Sequence, residues 1–258
     1  MSECKSVSSA CSHSLIFLIF SFSLIQFVEG ICPDAKSIEP CTCNDEGLQC
    51  LRLDDDDLER VFSADAQRKA IRRVWIFQTN LTKLKPNAFG DYIIGDLFLD
   101  INKIDFVDED AFGYASKTLK LLSLTRNRLT TFPFDVLKKS PRLDKFSLAF
   151  NQLTRLPNTI ESSKLTHLDL SYNSITDIAP HTFYWMTGLQ ILNLARNMLT
   201  TIKTHALWMH ATGPLVSNLL MMLLRNCPQY SSHCNTNLFI RASSVFLTKD
   251  YHSARQSD

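Results

Sequence analysis

Six of the eight cysteines, a histidine–aspartate pair, a run of four aspartates, one glycosylation sequon and a cluster of aromatic side chains are the residues here with chemistry to offer. Cys32, Cys41, Cys43 and Cys50 lie within nineteen residues, and Cys227 and Cys234 stand far downstream. The Cys41-Thr42-Cys43 spacing is too tight for a CxxC redox or zinc motif, and an even set in an exported chain points to disulfides. Four cysteines allow three pairings; Cys227 and Cys234 are candidates for a further bridge. His167 and Asp169 fall two apart, on one face of a strand, yet no Ser, Cys or metal partner accompanies them. No H-E-x-x-H, G-x-S-x-G or P-loop sequence occurs, so neither an enzyme nor a bound cofactor is expected. The run Asp54 to Asp57 lacks the alternating ligands and glycine of a calcium loop and reads as a solvated cap loop. Asn80-Leu81-Thr82 is the only N-x-[ST] sequon, an acceptor for glycan in an exported chain.

Export is read from the front of the chain. Leu15 to Val28 is a fourteen-residue apolar run, preceded by Lys5 and followed by the small residue Gly30. As a helix it would reach only ~21 Å, short of the ~30 Å hydrocarbon core. It reads as a signal peptide over residues 1–30, cut after Gly30, which removes Cys4 and Cys11 and leaves no stable membrane insertion. The mature product is expected outside the cell. The net charge of the 258 residues is only +1, which argues against a nucleic-acid partner held by a broad basic face.

The elements that must position these residues come from a repeat. The template L-x-x-L-x-L-x-x-N-x-L occurs five times with asparagine at place nine: Asn102, Asn127, Asn151, Asn173 and Asn197. Leu119, Leu122, Leu124, Asn127 and Leu129 form one copy; Leu189, Leu192, Leu194, Asn197 and Leu199 form another. A sixth copy precedes them, Ile71, Val74, Ile76, Thr79 and Leu81, with threonine at place nine. Each copy adds a second apolar pair three apart, such as Leu81/Leu84 and Ile104/Val107. A large apolar residue follows nine or ten places after the asparagine: Phe89, Phe112, Leu137, Ile160, Phe183 and Leu207. This is an α/β repeat, a leucine-rich-repeat solenoid. Places four and six point inward from short parallel strands that line a concave face, and the asparagines satisfy turn backbone between copies.

A four-cysteine N-terminal cap followed by repeats near 24 residues resembles extracellular leucine-rich-repeat proteins. The runs ICPDAKSIEPCTC, LERVFSA, FPFDVL and LTHLDLSYNSITDIAPHTF are similar to one arthropod group, the non-catalytic subunit of the shrimp-type luciferin monooxygenase and its relatives. The resemblance covers about residues 31–207. It implies the pairing Cys32–Cys43 and Cys41–Cys50, and a secreted, non-enzymatic subunit with no catalytic residue to transfer. The expected organisation is a signal peptide (1–30), a cysteine-rich cap (31–60), a solenoid of about six repeats (61–207) and a divergent tail or incomplete cap (208–258). In the tail the template fails, Leu219 to Leu224 is too short to span a membrane, and no lipid-anchor signal closes the chain.

Places three, five, seven and eight face the concave side or its rim. Trp75 and Phe98 share place five on neighbouring strands with Phe77 beside them, and these three are the expected protein-binding residues. The alternative is that the cap covers Trp75 and Phe77. Ser123, Ser147, Ser171 and Ala195 read as a small middle of the face, and Phe150 and Tyr172 share place eight at the rim. The expected function is a secreted binding module or accessory subunit engaging a protein through this face. The alternative is the ectodomain, or a soluble fragment, of a membrane receptor.

Overall fold

Apolar residues at places four and six must both point inward, and only a period of two allows that, so each copy contributes a strand. The computed structural model describes residues 32–63 and 69–199. The signal segment, Leu207, Cys227, Cys234 and the 208–258 tail lie outside the described residues. The strands are β1 (Cys41–Asn44), β2 (Gly47–Cys50), β3 (Ala70–Ile76), β4 (Lys83–Leu84), β5 (Ile93–Phe98), β6 (Phe106–Val107), β7 (Leu121–Ser123), β8 (Lys145–Ser147), β9 (His167–Asp169) and β10 (Ile191–Asn193). Two helices join them, α1 (Asp55–Ser63) and the short α2 (Val136–Lys139). Eight strands form one sheet in the order β1-β2-β3-β5-β7-β8-β9-β10, with β4 and β6 paired separately. Only β1 runs antiparallel to its neighbour; every later pair is parallel.

Behind the sheet lies the leucine core. Every residue at places one, four and six of the six copies is at most 4% exposed. Each such side chain contributes roughly 1.5–3 kcal/mol by leaving water. Phe89 and Phe112 stack with centroids 6.0 Å apart and Phe62 meets Phe89 edge-on at 5.1 Å, so Phe62 and the late apolar residues of the first two copies form a second spine. The chain returns from strand to strand through turns, a 3-10 turn at Gly113–Lys117 and α2, rather than through a full helix in each copy.

The asparagine ladder is regular from Asn127 onward. The Oδ1 of Asn127, Asn151, Asn173 and Asn197 accepts the N–H of place eleven in the preceding copy at 3.0–3.1 Å. Their Nδ2 donates to the carbonyl of place six in that copy at 2.8–2.9 Å. Thr79 adapts by accepting from Leu81 N–H and donating its hydroxyl to Asn102 Oδ1.

The cap closes the open end. Disulfides join Cys32 to Cys43 and Cys41 to Cys50, the pairing implied by the resemblance. β2 lies against β3, with Leu48 opposite Val74 and Cys50 opposite Ile76, all four fully buried. Gly47 is required here, because it sits at φ 143° and a Cβ would fall 2.1 Å from the Arg73 carbonyl oxygen. The aspartate run is not a solvated loop but the start of α1. Asp54 Oδ1 caps the helix by accepting the N–H groups of Asp56 and Asp57, and Asp57 pairs with Arg60 at 2.8 Å. Asp55 reaches across to accept from the Thr82 and Lys83 amides. Burial pushes its carboxyl up, but the hydrogen bonds from Thr82 and Lys83 and the Lys85 charge outweigh that and hold it below its ordinary value.

Candidate protein-binding face

Parallel register carries the repeat onto the sheet surface as rows. Place five runs Trp75, Phe98, Ser123, Ser147, Asp169, Asn193, each residue opposite the next. Place three runs Arg73, Asp96, Leu121, Lys145, His167, Ile191 in the same way. Place five is therefore aromatic at its N-terminal end and polar beyond it, whereas place three mixes charged residues with Leu121 and Ile191.

Trp75 and Phe98 stack with centroids 5.9 Å apart and planes 13° from parallel. Both are half-buried, as is Phe77, so the cap, whose Gln49 is opposite Trp75, does not seal them off. Arg73 stands 6.0 Å over the Trp75 ring and pairs with Asp96 at 3.4 Å. The structure thus gathers the three expected binding residues at one end of the face.

Beyond Phe98 a hydroxyl chain crosses three strands. Ser123 Oγ donates to Asp100 Oδ1 at 2.5 Å and lies 3.0 Å from Thr125 Oγ1, which is 2.8 Å from Ser147 Oγ. The Thr125 amide also donates to Asp100 Oδ1 at 2.8 Å. Burial pushes the Asp100 carboxyl above its ordinary value, only partly offset by the bonds from Ser123 and Thr125. This strip was not foreseen as a unit. Its signal in the sequence is the recurrence of short hydroxyl residues at places five and seven beside one aspartate. Of the four residues expected to form a small open middle of the face, Ser123, Ser171 and Ala195 are 8%, 4% and 9% exposed, so they do not open it, and only Ser147 is half-buried.

His167 and Asp169 take separate partners. The Thr166 hydroxyl lies 2.6 Å from His167 Nδ1 and also donates to Asp144, whereas Asp169 Oδ1 accepts from the Ser171 amide at 2.9 Å. Among the described residues no group of three or more His, Cys, Asp or Glu side chains could hold a metal ion. Asn80 is exposed at the end of the β3 segment, where its Oδ1 accepts from Lys103 Nζ at 2.8 Å.

The rim is built differently. At place eight Gln78, Ile101, Arg126, Phe150, Tyr172 and Arg196 all adopt left-handed backbone, φ 53–60°. The turn lets each amide from Ile101 to Tyr172 donate to the place-seven carbonyl of the next copy, as Ile101 does to Thr125 at 2.9 Å. Phe150 and Tyr172 stack at 4.0 Å with Arg126 5.1 Å from the Phe150 ring, a continuous exposed row. A β-branched residue in this conformation costs about 1–2 kcal/mol, which asparagine largely escapes. Ile101, 44% exposed, loses little burial on replacement. Ile101→Asn should therefore raise stability by about 1 kcal/mol, read as a higher urea midpoint with an unchanged slope.

A model of the family described as leucine rich repeat matches residues 94–153 and 163–209. The chain is similar to the Oplophorus-luciferin 2-monooxygenase non-catalytic subunit of Oplophorus gracilirostris, 28% identical over 220 residues, covering 73% of this chain and 61% of that protein. It is 30% identical over 196 residues to Toll-like receptor 9 of Mus musculus, covering 72% of this chain and 18% of the receptor. The chain thus spans less than two thirds of the length of both relatives. A solved structure of the Drosophila Toll–Spatzle complex superposes with a TM-score of 0.47 at 24% identity, over 63% of this chain and 23% of that one. The matched repeats, the largely parallel sheet and the asparagine ladder give the described residues a leucine-rich-repeat fold.

Proposed function

We propose that the chain is a secreted, non-enzymatic binding module or accessory subunit that engages a protein partner through its concave face at Trp75, Phe77 and Phe98. The observation that carries this reading is the half-exposed Trp75–Phe98 stack on adjacent strands. Large aromatics left partly open on a sheet are the residue types that dominate protein interfaces. Similarity to a non-catalytic subunit supports a role without catalysis. Residues 1–30 serve as the signal peptide, 31–60 as the cap, 61–207 as the solenoid and 208–258 as a divergent tail, with glycan on Asn80 and a third bridge between Cys227 and Cys234. The second reading, a receptor ectodomain or its soluble fragment, is favoured by the similarity to Toll-like receptor 9.

Expressed in animal cells, the chain should enter the medium, begin at Ile31 and lose mass on deglycosylation. Partners are then captured on it from the native fluid and identified by mass spectrometry. Phe98→Ala should weaken capture about thirtyfold, the cost of removing a central aromatic anchor, with secretion retained and melting nearly unchanged. Misfolding of that variant would assign Phe98 to the core. Undiminished capture would move the site to the rim at Phe150 and Tyr172.

A further inference from the structure

Two half-buried carboxylates on the concave face, Asp100 and Asp169, have no charged partner among the described residues. Asp96 is answered by Arg73, and Asp169 caps its own turn through the Ser171 amide. Asp100 receives two hydrogen bonds, from the Ser123 hydroxyl and the Thr125 amide, and both enter at Oδ1. Oδ2 is left over, and among the described residues no Lys, Arg or His pairs with this carboxylate. Such a group costs the fold something, since desolvation disfavours its charged form.

What surrounds it narrows the ligand. Phe98 precedes Asp100 by two residues on the same face, and Phe77 occupies the same template place in the copy before. Both rings are half-buried, and Trp75 is stacked on Phe98. A calcium or magnesium ion would need six or more oxygens, whereas the nearby hydroxyls of Ser123, Thr125 and Ser147 already bond to one another. A single open carboxylate oxygen beside aromatic faces suits an ammonium or guanidinium group, whose charge meets the carboxylate while its stem lies along the rings.

We propose that Asp100, with Phe77, Phe98 and Trp75, forms a subsite for a lysine or arginine side chain of a protein partner. The proposal rests on the reading that the concave face is the binding surface, and deepens it by naming what the partner presents: a basic residue next to an apolar one that packs on the Trp75–Phe98 stack.

The test pans a random peptide library displayed on phage against the immobilised full chain and measures Kd for the enriched peptides made synthetically. Enriched sequences should place Lys or Arg beside an aromatic or aliphatic residue. Asp100→Asn should weaken them about tenfold or more, with melting at or above wild type, because the amide oxygen still accepts from Ser123 and Thr125. Changing the peptide's Arg to Gln should cost the same factor, and the two changes together no more than either alone. Peptides that need Phe98 but bind Asp100→Asn as tightly as wild type would overturn the basic-residue subsite and leave the concave reading standing. Peptides indifferent to both Phe98→Ala and Asp100→Asn, or a library yielding no enriched basic sequence, would overturn it as well, the former together with the concave reading.

Discussion

With Cys41 and Cys50 both changed to alanine, the N-terminal cap should open while the later repeats stay folded, at a cost of about 3 kcal/mol from loop entropy alone. The bridge closes a sequence separation of 9 and interlocks with Cys32–Cys43, whose separation is 11. The larger consequence is structural. Without β2 the edge of β3 loses its partner, and Leu48, Val74 and Ile76, none of them exposed in the native chain, meet water. A solenoid end stripped of its cap is both less stable and open to pairing with another chain. Melting followed by circular dichroism should show an early transition, and hydrogen exchange should show the β3 amides losing protection first. The Cys32→Ala/Cys43→Ala variant should lose less, because Cys32 and Cys43 are only half-buried. If the Cys41/Cys50 variant melts as one unit at the wild-type temperature, packing of Leu53, Leu58 and Phe62 holds the cap without the bridge.

How much of this was legible in the sequence follows from what a repeat encodes. Period and residue type determine which side chains enter the core, so the strands, their parallel order and the register of Trp75 opposite Phe98 could be read from spacing. The asparagines could be read as structural because an amide both donates and accepts. Features set by contacts across copies could not. That Asp54 caps a helix while Asp55 reaches the loop of the next copy depends on where the chain folds back, and four consecutive aspartates look alike in sequence. The left-handed row at place eight was hidden because Ile101, Phe150 and Tyr172 are residues that ordinarily avoid that conformation. Asp100 lies in the same class. Its neighbours Ser123 and Ser147 are common surface residues, and only the register turns them into one strip that leaves a carboxylate oxygen open.

Asn151 offers the sharpest measure of the ladder, because it stands in the middle of the solenoid with an asparagine copy on each side. Its Oδ1 accepts the Leu129 amide at 3.0 Å, and its Nδ2 donates to the carbonyls of Leu124 at 2.9 Å and Leu148 at 3.0 Å. The side chain is nearly sealed, at 8% exposure, and Leu129 is fully buried. Asn151→Ala removes every one of these bonds. The Leu124 carbonyl keeps its bond from Asn127, but the Leu129 N–H is left without water or a replacement acceptor. An orphaned buried donor costs about 1–3 kcal/mol, and the vacated volume adds to it, so a loss of about 2–4 kcal/mol is expected. Asn151→Asp should cost a similar amount by a different route: it keeps the acceptor, loses the donor and places a charge among buried carbonyls. Asn151→Thr should cost about as much as alanine, since the bond Thr79 accepts from this template place comes from the amide two residues on, and the corresponding Leu153 amide already donates to Asn173 Oδ1, so the Leu129 N–H stays orphaned. Urea titration of the four proteins should place wild type first and Thr, Ala and Asp together well below it. A loss under about 0.5 kcal/mol for Asn151→Ala, the scale of an ordinary surface substitution, would mean that the backbone shifts to satisfy Leu129 by itself and that the asparagines are not what locks one repeat to the next.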